Sequence, residues 1–163
     1  MTALPNDGYT LGSDQGEAFW FLGTRMTVKA TGAETSGSLT VIEQVAPAGF
    51  SPPAHVHRLE DEAFYLLEGS MTVTCGGRNW VVEPGGFAFL PRGITHGFTV
   101  SPTGPARMLQ LTTPAQFERF VAEVGHPATG PGLPTPAEPD IGALLASANR
   151  HQIEIVLPDH EPA

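Results

Sequence analysis

GFSPPAHVHRLEDEAFYLLEG, from Gly49 to Gly69, sets two histidines one residue apart and a glutamate five positions after the second. Side chains alternate across a β-strand, so His55 and His57 project together from one face. Neutral imidazoles placed in this way form a pair of ligands for a divalent metal. The turn from Arg58 to Asp61 lets the chain reverse, so that Glu62 opens the next strand and points at the same spot.

Further along, GGFAFLPRGITHGF places a tight Pro91 to Gly93 turn three residues before His96. That turn can bring His96 across as a fourth ligand from another hairpin. Three histidines and one carboxylate leave an octahedral metal with open positions for water, a substrate oxygen or dioxygen, as a catalytic site needs. His126, His151 and His160 stand outside these stretches, with prolines nearby, and are read as surface residues.

On either side of the two stretches, residues 18 to 113 read as short apolar or alternating runs, among them SLTVIEQVA, EAFYLLEG, SMTVTCG, NWVVEP and ARMLQLTT. Turn-forming groups such as Gly76-Gly77 and Pro84-Gly85-Gly86 separate them. The spacing predicts an antiparallel sandwich or barrel rather than a parallel α/β sheet. Trp20, Phe21, Phe64, Phe89 and Phe98 take strand positions, where they either pack or line a pocket, depending on register. From Pro114 the pattern turns helical. Phe117, Phe120, Val121 and Val124 share a face, with Thr113 placed to cap the helix and Gly125 to end it. The five prolines and two glycines of residues 126 to 140 predict a surface crossing. A second helix is expected with Ile141, Leu144, Leu145 and Ala148 on one face, and QIEIVLP follows as a closing strand or a strap. Residues 1–113 are thus read as a β-barrel with its N-terminal strands, and residues 114–163 as a helical extension packed on it within the same domain.

Composition narrows the function. Seventeen acidic against eight basic residues give a formal charge of −9, and no basic cluster is present to neutralise a phosphate backbone. Nucleic acid and membrane surfaces are not expected partners. Cys75 is the lone cysteine, read as a small buried or half-buried side chain, and the first residues lack signal-peptide character. A cytoplasmic location is the default expectation.

The two stretches resemble the cupin motifs. Gly49, His55, His57, Glu62 and Gly69 stand at the spacing of the first motif, and Gly85, Pro91, Gly93 and His96 at that of the second, whose closing Asn is Val100 here. The resemblance implies an all-β fold, a small antiparallel double-stranded β-helix (jelly-roll) barrel with one or two short C-terminal helices. Only the four-residue spacer before Glu62 fits the motif, so Glu60 and Asp61 are expected to face solvent. The chain is also similar to single-domain bacterial cupins related to quercetin dioxygenase, through an FERF helix (Phe117 to Phe120), a GLP in the crossing (Gly132 to Pro134) and a late PDH (Pro158 to His160). That similarity implies a mononuclear dioxygenase acting on a flavonol or other hydroxylated aromatic. His55, His57, Glu62 and His96 would hold one divalent transition metal (Fe, Mn, Ni, Co, Cu or Zn), and Glu62 would also accept the substrate's enolic proton. Cupins also include polyketide cyclases or isomerases that use the metal as a Lewis acid, and non-catalytic small-molecule-binding proteins. The family further implies a homodimer, expected here through the apolar early strand around Phe19 to Val28, which would otherwise be an exposed edge.

Overall fold

A computed structural model of the chain describes residues 8–158, so Asp159 and His160 of the late PDH lie outside the described residues. The long early run breaks at Leu22-Gly23, both at positive φ, into β1 (Glu17–Phe21) and β2 (Thr24–Ala30). There follow β3 (Thr40–Ala46), β4 (His55–His57), β5 (Asp61–Glu68), β6 (Met71–Cys75) and β7 (Arg78–Val82). Next come β8 (Phe87–Leu90), β9 (His96–Val100), β10 (Ala106–Thr113), helix α1 (Phe117–Val124) and the two-residue β11 (His126–Pro127). Helix α2 (Ile141–Arg150) and β12 (Ile153–Ile155) complete the described chain.

All strand pairs are antiparallel. One sheet runs β11-β1-β2-β3-β10-β5-β8 and the other β12-β4-β9-β6-β7. Alternation along the strands sets which residues face inward: in β10, Ala106, Met108, Gln110 and Thr112 are buried while the residues between them are only half-buried. Phe64, Leu66, Met71, Val73, Leu90, Val100 and Met108 pack into one apolar cluster. Val100, where the second motif usually carries Asn, is fully buried there. A second cluster joins Phe19, Phe21, Met26 and Ile42 to Phe117, Phe120 and Val121 of α1, Leu144 and Ala148 of α2, and Ile153. The C-terminal elements therefore cap the barrel through apolar contact, each fully buried large side chain contributing about 1.5–3 kcal/mol.

Gly69 shows why one motif position must be glycine. Its φ is 84°, and a Cβ there would meet the Pro105 carbonyl oxygen at 2.4 Å.

Several sequence expectations are corrected. Thr113 does not cap α1: Gln116 holds the N-cap position, and Thr113 instead donates its hydroxyl to the Ser38 carbonyl. Ile141 starts α2 but is 46% exposed, and Ser147 takes a buried place on that helix. The edge of β1 is not bare, because β11 pairs with it, Phe19 opposite Pro127 and Trp20 opposite His126. Trp20 also donates its indole N–H to the Gly132 carbonyl at 3.0 Å, which pins the Pro/Gly-rich crossing to the barrel. QIEIVLP does form a strand, β12, on the free edge of β4. Cys75 is buried. Among the described residues no helix is long and apolar enough to cross a membrane.

Candidate metal centre

Two sheets meet at the candidate site. Strand β4 carries His55 and His57, and its pairing with β9 sets His55 directly opposite His96. Glu62 comes from β5 in the other sheet, beside Thr112 of β10. The three imidazole centroids lie 4.6, 5.0 and 5.3 Å apart. One donor atom from each of His55, His57, Glu62 and His96 can be chosen so that all four lie within 4.8 Å of one another. The structure thus brings together all four ligand candidates named from the sequence.

Each imidazole is held by its Nδ1. His55 Nδ1 lies 2.9 Å from the Pro53 carbonyl and His96 Nδ1 lies 3.0 Å from the Ile94 carbonyl. A carbonyl oxygen only accepts, so in both rings Nδ1 carries a proton and Nε2 points into the cluster, where a metal ion would take the place of any proton on it. His57 Nδ1 instead lies 2.8 Å from Oε1 of Glu60. Its Nε2 is buried without a hydrogen-bond partner among the described residues. A buried polar atom left unpaired is costly, and a metal ion would satisfy this one.

A first-row ion with bonds of about 2.0–2.2 Å holds two ligand atoms at most about 4.4 Å apart. Donor atoms all within 4.8 Å of one another are close enough to share one ion after side-chain adjustment. The donor set and its spacing therefore fit a metal ion.

Glu62 is 2% exposed. Its Oε2 lies 2.8 Å from Nε2 of His96 and 3.7 Å from Nε2 of His57, while its Oε1 accepts from the amide of Gln110. Burial alone would raise this carboxyl, but the charge of His57 and the hydrogen bond and charge of His96 outweigh it and lower the pKa to about 2. Burial pushes His55 the other way, down to about 4 despite the neighbouring Glu62. The site therefore presents an ionised carboxylate and, at His55, a neutral imidazole at physiological pH.

Beside the donors lies an apolar cavity of about 70 Å³, whose walls include Phe21, Phe50, Phe64, Phe98, Phe117 and Phe120 together with His55, Glu62 and Gln110. Of the aromatics flagged in the sequence, Phe21, Phe64 and Phe98 face this cavity, whereas Phe89 is 56% exposed on the outside and Trp20 is engaged with the crossing.

Three residues near the site were not foreseen. Glu60, expected at the surface, is 1% exposed, because the turn after β4 folds it back under His57. Gln110 was recognisable in principle, as the polar residue at an inward register position between Met108 and Thr112. Gln116 carries no sequence signal of its own, since its role depends on where α1 comes to rest. Asp61 does face outward, accepting from Arg92 Nε at 3.1 Å and Nη2 at 3.0 Å. His126 is exposed as expected, while His151 is half-buried and paired with Glu123 at 2.6 Å.

Comparison with known proteins places these observations in context. The Cupin domain family matches residues 41–112. Quercetin 2,3-dioxygenase of Bacillus subtilis (strain 168) is 28% identical over 132 residues, covering 80% of this chain. The chain spans only 39% of that relative's length. Tetracenomycin polyketide synthase protein TcmJ of Streptomyces glaucescens is 36% identical over 112 residues, covering 69% of this chain and 70% of that protein. Among solved structures, the polyketide cyclase RemF from Streptomyces resistomycificus superposes with a TM-score of 0.60 at 20% identity, over 96% of this chain and 90% of that one. KdgF from Halomonas sp. gives a TM-score of 0.60 at 16% identity, over 69% of this chain and 98% of that one. These structural likenesses are likenesses of fold.

Proposed function

We propose, from the premise that this chain belongs to the cupin superfamily, that it is a mononuclear metal-dependent dioxygenase acting on a flavonol-like or other hydroxylated aromatic substrate. One observation carries this reading: three imidazoles and a carboxylate converge beside a cavity walled by phenylalanines. His55, His57, Glu62 and His96 would hold one divalent transition metal, which supplies Lewis-acid and redox chemistry toward a substrate oxygen and dioxygen. The ligand types accept Fe, Mn, Ni, Co, Cu or Zn alike, so supply and geometry select among them.

The remaining steps belong to the protein. Glu62 would also accept the enolic proton of the substrate, while Gln110 keeps its Oε1 fixed. Having donated its amide to Glu62, Gln110 leaves a buried carbonyl oxygen unpaired among the described residues, which can accept from a substrate hydroxyl. The phenylalanines orient an aromatic ring and keep water away, which strengthens the electrostatic steps. A cavity of about 70 Å³ is far below the roughly 300–1,000 Å³ of ordinary ligand sites. Entry of a flavonol therefore requires lining side chains, among them Phe117 and Phe120 of α1 and Leu144 of α2, to move. Similarity to the Bacillus subtilis relative supports the dioxygenase reading, although the chain spans only part of that protein.

A second reading is favoured by a separate observation. Resemblance to TcmJ in sequence, and to RemF in fold through the C-terminal extension, supports a cyclase or isomerase acting on a polyketide without oxygen consumption. The deciding experiment is elemental analysis of the purified protein followed by oxygen uptake with quercetin. Bound metal with substrate-dependent uptake is the expected result. Metal with product but no uptake would transfer the assignment to the cyclase reading, and saturable binding without turnover to a small-molecule-binding protein.

The homodimer expected from the sequence is kept in this proposal on a different surface. With the β1 edge taken by β11, support for a second copy comes from Tyr65 on β5 and Phe87 and Phe89 on β8, which are 41%, 63% and 56% exposed.

A further inference from the structure

A carboxyl group that is almost fully buried needs hydrogen-bond partners for both of its oxygens. Glu60 meets this demand with two partners from different parts of the chain. Oε1 accepts from Nδ1 of His57 at 2.8 Å, and Oε2 accepts from the amide of Gln116. Gln116 is the residue that leads into α1, and its amide also lies 3.5 Å from the carbonyl of His151 at the end of α2. One carboxylate thus links the β4–β5 turn, the start of one cap helix and the end of the other.

His57 differs from its two neighbours in this respect. His55 and His96 are oriented by neutral backbone carbonyls of Pro53 and Ile94, each two residues earlier in the chain. His57 alone is oriented by a charged side chain. A carboxylate behind an imidazole fixes its tautomer and raises its basicity as a ligand, and losing such a partner typically lowers metal affinity about 10–100-fold.

We propose that Glu60 is a positioning residue which holds His57 with Nδ1 protonated and Nε2 bare for the metal, and that Gln116 couples the seating of the C-terminal cap to this ligand. The inference rests on the reading of His57 as a metal ligand. Its consequence is that cap and metal are linked. Displacing α1 to admit a substrate withdraws the Gln116 amide from Glu60 and loosens the support of His57, and conversely a bound metal favours the seated cap.

Two measurements test this without relying on activity. In the first, Co(II) affinity is read by chelator competition and the ligand field by the visible spectrum, for wild type, Glu60→Leu, Glu60→Gln and Gln116→Leu. Glu60→Leu is expected to lose about 10–100-fold in affinity with an altered spectrum. Glu60→Gln, whose amide oxygen still accepts from Nδ1, should recover most of that loss, and Gln116→Leu should show a smaller loss than Glu60→Leu. In the second, long-range ¹H–¹⁵N correlation of ¹⁵N-histidine-labelled, Zn(II)-loaded wild type should show His57 with its proton on Nδ1, exchanging slowly. Faster exchange of that proton in Gln116→Leu would support the coupling.

Folded Glu60→Leu with wild-type affinity and spectrum would overturn the proposal while leaving the metal reading intact. If that variant does not fold, a wild-type spectrum showing His57 protonated at Nε2 overturns it instead. Wild-type affinity and proton exchange in Gln116→Leu would remove the link to the cap, and failure of wild type to bind any metal would overturn both readings.

Discussion

Taking away the imidazole of His57 removes one of four donors and at the same time strips Glu60 of the partner on Oε1. Two nearly buried carboxylates, Glu60 and Glu62, then lose the imidazole that stands between them, an arrangement that weakens both the site and the fold around it. His57→Ala is therefore expected to lose most of its bound metal by elemental analysis, and to melt at a lower temperature than wild type when both are metal-free. Asp61→Ala is the matched control, because Asp61 is turned outward to Arg92 and should leave the metal content unchanged. Equal metal in wild type and His57→Ala would sink the four-ligand assignment. The acidic triplet at 60 to 62 shows where the sequence stops being readable at this scale. Motif spacing picked out Glu62, yet Glu60 and Asp61 look alike in sequence, and only the path of the turn sends one inward under His57 and the other out to solvent.

Between the two cap helices, Glu123 of α1 is bonded to Arg150 Nε of α2 at 2.9 Å and to His151 Nε2 at 2.6 Å. The hydrogen bond from Arg150, with that from His151, holds the Glu123 carboxyl down at about 2, below its ordinary 4.5. A carboxyl depressed in the folded state contributes stability that is present above its unfolded value and is lost as pH falls through the folded one. Glu123→Gln should accordingly lower Tm at neutral pH, and the gap to wild type should close as the pH is taken from 4.5 down toward 2. A gap that stays constant through that window would mean the residue acts through shape rather than charge. The salt dependence should be marked too, since the pair is exposed. These helices were legible as elements, because Phe117, Phe120 and Val121 recur at helical spacing and bury as expected. Their ends were not. Thr113 looked like a cap, but the chain turns through Pro114 and starts the helix at Gln116, whose side chain is committed to Glu60. Strand β12 was ambiguous for a related reason: three residues carry no period, and what makes them a strand is the edge of β4 waiting beside them.

At the level of the whole molecule, the barrel leaves its two ends of the larger sheet in different states. The β1 edge is covered by the chain's own β11, a two-residue pairing too short to be read from a Pro/Gly-rich stretch, so the early strand loses its reason to recruit a partner. Strand β8 at the opposite end has no such cover within the sheet, and its alternation turns Phe87 and Phe89 outward beside Tyr65, with Ala88 and Leu90 in the core. Three aromatics of this size, each about half exposed, offer roughly 300 Å² of apolar surface, whereas a stable pair needs about 800 Å² from each partner. The contact must therefore spread over Leu109 and Leu111, the half-buried outward residues of β10 that lie against Tyr65 and Ala63. None of these side chains is acidic, so two copies of a chain with a formal charge of −9 can meet here about a two-fold axis without opposing charges at the centre. Light scattering of the wild type should give the mass of a dimer. The double variant Phe87→Glu and Phe89→Glu should give that of a monomer, with unchanged circular dichroism and metal content, since neither side chain reaches the core or the donor cluster. A monomeric wild type, or a double variant that remains dimeric, would show that this face is not where two copies meet.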